Sequence, residues 1–370
     1  MKQLAVINKE VWEQCDPSES AYIKLNDTNI YFSLVESTIN FNETDKPKID
    51  DEHVIVKKIA FSVNYRDRSL ILSASEFMTT KNMQFPFGSE FVGEVVYVGS
   101  KVNTLKCGDR VISNASMPIC PGYLPGIPSN YASRLYEEFH PGKLLRVPEN
   151  LPVDVAASFT IASQTAYSMV RRSQINAGEK VLITAGSSNT SLAMAEVLKK
   201  NKDINLFIST TSKPMEAFLS RQYNAKVITI DAQRPLADSF TNSDYSNFDV
   251  ILDPFVDLHF PSLSIQLADY GRYVTCGFFR QHTKMGYADT QTQGPGTSIE
   301  KMFTHFMSKN ISFIGNCLGT TTDLENALAD YCNGLFDVQI NCLVDNGDVQ
   351  KFVNETFLKR EKPGKVVYKY

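Results

Sequence analysis

The segment KVLITAGSSNTSLAMAEVL, residues 180–198, decides the fold class of this chain. A short apolar run of the kind found in buried strands leads through a loop of small polar residues into a stretch with helical apolar spacing. Strand and helix patterns then continue to alternate, with strands at 205–210, 226–231, 248–253 and 271–278 and a helix at 214–224. This alternation predicts an α/β fold built on a doubly wound parallel sheet.

The segments on either side have a different pattern. Short strand patterns separated by Gly and Asp turns occur in HVIVKKIAFSV (53–63), EFVGEVVYVG (90–99) and DRVIS (109–113). They predict an antiparallel, β-rich region. Residues 1–50 look polar and irregular. After another strand pattern at 311–319, the chain has two helix patterns and closes with the strand pattern GKVVYKY.

Length and composition indicate a soluble protein of two domains. The 370 residues exceed the size at which one hydrophobic core keeps growing. The hydrophobic fraction of 43% and the charged fraction of 21% are typical of globular proteins. A net charge of −4 gives no electrostatic case for nucleic acid or an anionic membrane. No stretch reaches the roughly 18 apolar residues of a spanning helix, so we expect no membrane partner.

The seven cysteines are scattered and form no C-x-x-C pair. Neither a disulfide framework nor a thiolate zinc site is indicated, and the N-terminus has no apolar signal region, so a cytoplasmic, reduced location is expected. Cys276 is expected to be inert inside a strand. His259, His282 and His305 have no partner pattern and are expected to be surface or core residues.

The loop inside the opening segment is a candidate phosphate site. A loop that leads into a helix N-terminus offers free backbone N–H groups and the positive end of a dipole, which suits a pyrophosphate. A G-x-G-x-x-G fingerprint would fall on Gly186, Ser188 and Ser191, so only its first glycine is present. Small hydroxyl side chains still permit close approach. The predicted phosphate-binding residues are Gly186, Ser187, Ser188, Asn189 and Thr190. The alternative is a turn that binds no ligand.

The order of several motifs resembles the medium-chain dehydrogenase/reductase superfamily over about 310 residues. The matching segments are SVNYRDRSL (62–70), PFGSEFVGEVVYVGSKVNTLKCGDRV (86–111), NYASRLY (130–136), LLRVPENLPVDVAASFTIASQTAYSMV (144–170), GEKVLITAGSSNTSLA (178–193) and GKVVY (364–368). The first two are most similar to quinone oxidoreductases and to the enoyl reductase domains of fatty-acid and polyketide synthases.

This resemblance implies a specific architecture. It implies a Rossmann-type parallel sheet at 161–318 and a β-rich, GroES-like, partly open barrel formed by 1–160, to which residues 319–370 return. Gly88 and Gly93 are expected to allow tight conformations in the barrel. Glu90 is expected to point toward the cleft and orient neighbouring backbone.

The resemblance also implies that no zinc is bound. Zinc-dependent relatives have a His where this chain has Ser89, and a Cys where it has Asn64 or Tyr65. A catalytic zinc needs about three protein ligands with an open position, and those ligand types are missing here.

The same comparison supplies candidate catalytic residues. Asn64 matches an asparagine that zinc-free relatives place beside the nicotinamide, although a turn-forming role is the alternative. Tyr65 could donate a proton or hydrogen bond, or only form a wall of the pocket. Arg66 and Asp67 are expected to form an internal ion pair.

Further residues are implied to bind a nicotinamide cofactor. Thr165, Gly277, Phe278 and Lys365 fall where relatives approach the cofactor, although a solvated lysine is the alternative for Lys365. The strand at 205–210 runs into hydroxyl and lysine side chains rather than an acid, which favours a 2′-phosphate and therefore NADPH. Those side chains belong to Thr210, Thr211, Ser212 and Lys213. Capping of the next helix is the alternative role.

The leading hypothesis is an NADPH-dependent, zinc-independent reductase of an activated carbon–carbon double bond. The substrate would be a small molecule or a thioester-linked group: an enone, a quinone or an enoyl thioester. A carbonyl reductase and a nucleotide-binding protein without turnover are the alternatives. The loop at 280–298 is expected to influence substrate choice. The strand at 311–318 is expected to form a sheet edge that pairs across a two-fold axis, giving a homodimer.

Overall fold

The computed structural model describes residues 1–37, 49–77, 83–116, 126–201, 203–240, 243–281, 299–359 and 363–370. The strands in these parts of the chain are β1 (Lys2–Ile7), β2 (Ser20–Leu25), β3 (Thr28–Glu36), β4 (Val54–Ser62), β5 (Gln84–Phe85), β6 (Glu90–Val98), β7 (Arg110–Ser113), β8 (Tyr136–Phe139), β9 (Leu144–Arg146), β10 (Lys180–Ile183), β11 (Asn205–Thr210), β12 (Lys226–Thr229), β13 (Phe248–Asp253), β14 (Leu267–Thr275), β15 (Ser312–Gly315), β16 (Ile340–Asp345) and β17 (Lys365–Lys369).

Ten α-helices accompany these strands in the same parts of the chain. They are α1 (Lys9–Trp12), α2 (Asp67–Phe77), α3 (Val153–Ala156), α4 (Thr160–Ser173), α5 (Asn189–Leu198), α6 (Met215–Tyr223), α7 (Val256–Leu263), α8 (Ile299–Lys309), α9 (Thr321–Cys332) and α10 (Val349–Val353).

The second half of the chain forms a six-stranded sheet in the order β12-β11-β10-β13-β14-β15. Every pairing in it is parallel. The central strands are buried on both faces, as parallel sheets covered by helices require. The order reverses between β10 and β13, and this is the crevice in which doubly wound sheets bind ligands. The predicted α/β fold with a doubly wound parallel sheet is confirmed.

The β-rich part contains a sheet in the order β16-β17-β4-β6-β7-β9, with β8 paired to β4. Strand β17, from the end of the chain, pairs antiparallel with β4. The chain therefore returns to this sheet after it has completed the parallel one. The sequence patterns at 53–63, 90–99 and 109–113 correspond to β4, β6 and β7. The pattern analysis missed β16.

The expectation that residues 1–50 are irregular was wrong for the described ones. Strands β1, β2 and β3 form a sheet with β5 in the order β2-β3-β1-β5. Leu4, Val6, Ile30 and Phe32 are nearly or completely buried in it. In β2 and β3, exposed positions such as Tyr22, Lys24 and Asn29 alternate with core residues and lie on the other face of the strands, whereas β1 is buried on both faces after Lys2.

Two glycines in the β-rich part are required for different reasons. Gly88 has a φ of +95°, which only glycine adopts readily, so the expected tight conformation is confirmed. Gly93 has no positive φ, and here the expectation was wrong. A Cβ on Gly93 would lie 2.4 Å from Val56 Cγ1 and 2.7 Å from the Lys57 carbonyl oxygen. Gly93 is needed because β4 passes too close for a side chain.

Among the described residues, no helix is both long and apolar enough to cross a membrane. Most of the predicted substrate-determining loop at 280–298, together with His282, lies outside the described residues, so that prediction stays a prediction.

Candidate functional site

A cavity of about 1380 Å³ lies where the carboxyl edge of the parallel sheet faces the β-rich part. Its walls come from the loop before α5, the ends of β11, β13 and β14, and the start of α2. The predicted site residues that line it are Asn64, Tyr65, Thr165, Ser187, Ser188, Asn189, Thr190, Thr210, Thr211, Gly277, Phe278 and Lys365. Three predicted residues, Gly186, Ser212 and Lys213, are not among its lining residues.

The loop before α5 has the form of an anion site. Ser188 caps the helix, and its Oγ accepts a hydrogen bond from the Ser191 amide at 3.1 Å. The amides of Asn189 and Thr190 occupy the first helical positions, where no intrahelical acceptor exists. Both residues line the cavity. This end of the cavity therefore presents N–H groups and a positive dipole end to a ligand.

Gly186 contributes to this loop indirectly. A Cβ at this position would lie 2.5 Å from Ile208 Cγ2 and 3.0 Å from Leu219 Cδ1. Its amide donates to the Ser209 carbonyl oxygen at 2.7 Å. The first glycine of the fingerprint thus allows the loop to pack on β11 and α6. Gly186 does not line the cavity, so its predicted direct contact with a ligand stays a prediction.

The end of β11 is the predicted adenosine side of the site. Thr210 Oγ1 accepts from the Ser212 amide at 3.1 Å, and Thr210 and Thr211 line the cavity. The Ser209 and Ser212 hydroxyls are buried without a hydrogen-bond partner in the described part of the chain. Lys213 is exposed. Ser209 lines the cavity, whereas Ser212 does not.

The run does contact the start of the next helix, because the Ser212 and Lys213 carbonyl oxygens accept from the Met215 and Glu216 amides at 3.0 and 3.2 Å, so the capping alternative stays open. Helix α6 has Pro214 at its N-cap position with no side-chain capping hydrogen bond. The sequence analysis placed Pro214 as the first helical residue, whereas the helix begins at Met215.

At the other end of the cavity, Lys365 is buried at the centre of a polar network. Its Nζ donates to Glu90 Oε1 and Asn64 Oδ1, and to the Val63 carbonyl oxygen at 3.3 Å. Asn64 Nδ2 donates to Ser89 Oγ and to Glu90 Oε1, both at 3.0 Å. Glu90 and Lys365 form an ion pair that solvent barely reaches, with side-chain exposures of 1% and 3%.

This network corrects the expectation that Lys365 is a solvated lysine. Strand β17 carries it into the β-rich sheet beside β4, where Glu90 and Asn64 neutralise its charge and occupy its donors. The network also limits Asn64. Both of its N–H bonds are used, so only the second lone pair of Oδ1 is left to bind a ligand. Asn64 is therefore suited to accept from a ribose hydroxyl rather than to donate to a substrate carbonyl.

Glu90 also joins the two halves of the site. Its Oε1 accepts from Ser62 Oγ at 2.9 Å, and its Oε2 accepts from the Ile161 amide at 2.9 Å, in the first turn of α4. The same helix carries Thr165, which is buried and lines the cavity. The expectation that Glu90 orients neighbouring backbone is confirmed.

Beside this network, Asp67 fixes the turn that presents Asn64. Its carboxylate accepts from the Asn64 amide and from Ser89 Oγ, both at 2.8 Å, and pairs with the Arg66 guanidinium at 3.0 Å. The expected internal ion pair is confirmed. Burial raises the pKa of Asp67, while Arg66 and the hydrogen bonds from Asn64 and Ser89 oppose that shift. Ser89 thus serves this turn as a hydrogen-bonding residue.

Tyr65 forms an aromatic wall. Its ring stacks on Phe279 at a centroid distance of 5.2 Å and meets the edge of Phe255 at the same distance. All three residues line the cavity. The wall role that was one alternative for Tyr65 is present, and the proton-donor role stays a prediction. Phe255 and Phe279 follow the ends of β13 and β14, and the sequence analysis did not single them out.

The end of β14 approaches the cavity at close range. The Gly277 carbonyl oxygen accepts from the Val256 amide at 3.1 Å, and a Cβ on Gly277 would lie 2.9 Å from the Pro254 carbonyl oxygen. Cys276 lies just beyond the strand rather than inside it, which corrects its predicted position, and it lines the cavity. Burial raises the pKa of its thiol to about 12, so the thiol stays protonated at neutral pH.

His259 is largely buried, and it has a partner that the sequence analysis did not indicate. Its Nδ1 lies 2.7 Å from Asp253 Oδ1, and its ring lines the cavity. A carboxylate directly after the apolar run of β13, followed six residues later by a histidine, was the available signal.

The described residues contain no group of three or more His, Cys, Asp or Glu side chains able to hold a metal ion. The expectation that the whole chain binds no zinc stays a prediction.

Comparisons with known proteins agree with this architecture. Residues 50–134 match the alcohol dehydrogenase GroES-like domain family. The chain is 28% identical over 233 residues to probable polyketide synthase 7 of Dictyostelium discoideum, covering 60% of the chain and 9% of that protein. It is 32% identical over 136 residues to quinone oxidoreductase-like protein 2 of Mus musculus, covering 36% of the chain and 35% of that protein. The chain thus spans under a tenth of the synthase.

Solved structures share the fold over nearly the whole chain. A thermostable alcohol dehydrogenase from Pyrobaculum aerophilum superposes with a TM-score of 0.69 at 19% identity, covering 99% of this chain and 100% of that one. The CurF ER cyclopropanase from the curacin A biosynthetic pathway gives 0.67 at 21% identity, covering 95% and 99%. The GroES-like domain at 50–134, the curated relatives and the shared two-part fold support the resemblance of this chain to the medium-chain dehydrogenase/reductase superfamily.

Proposed function

We propose that the chain binds NADPH and reduces an activated carbon–carbon double bond. The observation that carries this proposal is that one cavity is lined both by the loop before α5 and by Asn64 and Lys365, which are hydrogen-bonded to each other and to Glu90. The first would hold a pyrophosphate, and the second would face the reacting end of the cofactor. When bound, the nicotinamide supplies the hydride.

The residues of this chain would then contribute position and exclusion of water. Asn64 Oδ1 would accept from a ribose hydroxyl, with its orientation fixed by Lys365, Ser89 and Glu90. The aromatic wall of Tyr65, Phe255 and Phe279 would cover the apolar face of the substrate. Hydride transfer to a double bond conjugated with a carbonyl needs a proton for the α-carbon, and we propose the Tyr65 hydroxyl as its source.

Among the candidate substrates, basic side chains at the cavity favour an enoyl thioester. Arg66, Arg68 and Lys359 line the cavity on the side of the β-rich domain. A phosphopantetheine-linked substrate, such as a coenzyme A or carrier-protein thioester, carries phosphate, which such side chains attract. Arg66 and Lys359 pair with Asp67 and Glu355, which reduces their attraction for a phosphate.

The direct test is oxidation of NADPH with a panel of enones, quinones, ketones and enoyl thioesters. The thioesters should be offered both as coenzyme A esters and as N-acetylcysteamine esters, which lack phosphate. Turnover that is fastest with enoyl-coenzyme A would support the proposal. Turnover of ketones alone would favour a carbonyl reductase. Tight binding of NADPH without turnover of any compound would favour a binding protein.

We predict that the purified protein contains no stoichiometric zinc. The positions at which zinc-dependent relatives hold the metal carry Asn64, Tyr65 and Ser89, and the side chains of Asn64 and Ser89 are engaged with each other at 3.0 Å. Elemental analysis should find far less than one zinc per chain. A full equivalent of zinc, with activity lost to a chelator, would contradict this prediction.

We predict that NADPH binds about 10-fold more tightly than NADH, because a phosphate contact in this setting contributes about 1–3 kcal/mol. The predicted partners are the hydroxyls after β11 and the exposed Lys213. Lys213→Asp should remove the preference in titrations that measure both dissociation constants. Lys226→Asp is the matched control. Lys226 is also exposed, but it begins β12 and therefore lies at the amino ends of the parallel strands, whereas Lys213 follows the carboxyl end of β11. Equal dissociation constants in the unmodified protein would contradict the prediction.

We predict a homodimer formed through β15. This strand is the edge of the parallel sheet, and Phe313 on it is 47% exposed. Apolar side chains on α8, Phe303 and Met307, are also exposed. An open apolar edge favours pairing with a second copy. Light scattering should give twice the chain mass, and Phe313→Asp should shift it toward the monomer. A monomer across a wide concentration range would count against the dimer.

A further inference from the structure

The buried carboxylate of Asp253 lies at the carboxyl end of β13 and has four hydrogen-bond donors around it. Its Oδ1 accepts from Thr184 Oγ1 at 2.6 Å and from the Phe255 amide at 2.9 Å, and it faces His259 Nδ1 at 2.7 Å. Its Oδ2 accepts from the Tyr273 hydroxyl at 2.6 Å. Burial alone would raise the pKa of Asp253, but His259 and the hydrogen bonds from Thr184 and Tyr273 outweigh it and hold that pKa below its ordinary value.

An ionised carboxylate fixes the orientation of the imidazole beside it. Because Asp253 can only accept, Nδ1 of His259 must carry the hydrogen of this contact. The other ring nitrogen, Nε2, then points away from Asp253. It has no hydrogen-bond partner among the described residues, and the ring lines the cavity. A histidine with only a structural role would have no need of an edge that faces the cavity.

The position of this pair in the sheet indicates which ligand it could meet. Asp253 ends β13, and Thr184 directly follows β10, so the pair lies at the crevice where the strand order reverses. Thr184 also leads into the loop before α5, and its carbonyl oxygen accepts from Ser191 Oγ at 2.7 Å. The Asp253 carboxylate is therefore hydrogen-bonded both to the His259 ring and to Thr184, the residue that leads into the loop before α5.

The nearest other acid on α7 does not compete for this ring. Asp257 accepts from the Phe279 and Arg280 amides at 2.7 and 2.9 Å, which ties it to the segment after β14. Asp253 is thus the acid that pairs with His259 in the described part of the chain.

We propose that His259 is a cofactor-binding residue that contacts the nicotinamide-side phosphate of the dinucleotide and the ribose attached to it, through Nε2. Asp253 acts as the positioning residue that holds the ring. This contact would compensate in part for the two missing glycines of the fingerprint, since a side chain supplies polar contacts where the backbone approaches less closely. The inference rests on the proposed binding of NADPH in this cavity.

The test compares two probes by titration calorimetry: NADPH, and adenosine 2′,5′-bisphosphate, which lacks the pyrophosphate bridge and the nicotinamide half. His259→Ala should weaken NADPH binding about 10-fold, because one polar contact in a desolvated site is lost, and should change binding of the bisphosphate by less than about 2-fold. His305→Ala, a partly buried histidine on α8 that does not line the cavity, is the matched control and should change neither.

A second variant guards against loss of structure. The amide of His259→Asn can still donate to Asp253 but has no atom equivalent to Nε2, so it should fold well and weaken NADPH binding as much as the Ala variant does. Unchanged NADPH binding in the Asn variant would overturn the inference. Equal weakening of both probes would also overturn it, because it would indicate a structural role. If the unmodified protein bound no NADPH, the proposed function would fail as well.

Discussion

Lys365→Met should lower the free energy of unfolding by about 3–5 kcal/mol, the cost of leaving a buried charge without its partner. Methionine fills much of the same volume but leaves Glu90 unpaired, with only 1% of its side chain exposed. Cofactor binding should weaken at the same time, because Lys365 orients Asn64. Urea unfolding measures the first effect, and NADPH titration measures the second.

Two further variants separate these effects. Adding Glu90→Gln to Lys365→Met removes the uncompensated charge and should restore more than half of the lost stability without restoring NADPH affinity. Lys58→Met is the matched control. Lys58 is buried and pairs with Glu137 at 2.8 Å, but neither residue lines the cavity. It should cost similar stability and leave NADPH affinity unchanged. A loss below about 1 kcal/mol for Lys365→Met would contradict the prediction.

Asn64→Ala should lower kcat/KM by about 10- to 100-fold with the best substrate of the panel. The change removes the proposed ribose acceptor and also deprives Lys365, Ser89 and Glu90 of one partner each. A misplaced reacting group and a lost polar contact in a desolvated site each reduce the rate, at about 1.4 kcal/mol per factor of ten. Steady-state kinetics with NADPH measures the effect.

The control for this variant is Asn114→Ala. Asn114 is buried and, like Asn64, hydrogen-bonded, with Thr321 Oγ1 at 3.0 Å from its Nδ2, but it does not line the cavity. It should affect stability more than kcat/KM. An unchanged kcat/KM in Asn64→Ala would return this residue to its alternative role, in which it only forms the turn before α2.

The parallel sheet could be predicted because its signals are local. Each strand is a short apolar run, and each helix has its own periodicity, so the alternation is readable without knowledge of the tertiary structure. The loop before α5 was predictable for the same reason. The strand β16 was missed because its sequence, INCLVD, has no long apolar run. Most of its residues are only half-buried in the sheet.

The parts of the site that depend on distant contacts could not be predicted. The exposure of Lys365 depends on how β17 pairs with β4, and the partner of His259 is defined only once α7 follows β13. Strands β2 and β3 alternate core and exposed positions, so their apolar residues form no continuous run that the sequence analysis could recognise. The residue types were visible, whereas their pairing required the fold.

The return of β17 to the β-rich sheet has a consequence for the order of folding. Lys365 is 301 residues from Asn64 and 275 from Glu90 along the chain, while the strands of the parallel sheet lie within 180–315. Contacts of such sequence separation form late, because a long loop must close first. We expect the half that contains the parallel sheet to become protected from hydrogen exchange first. The Glu90 carboxylate would remain hydrated until the last strand docks and brings its counter-charge.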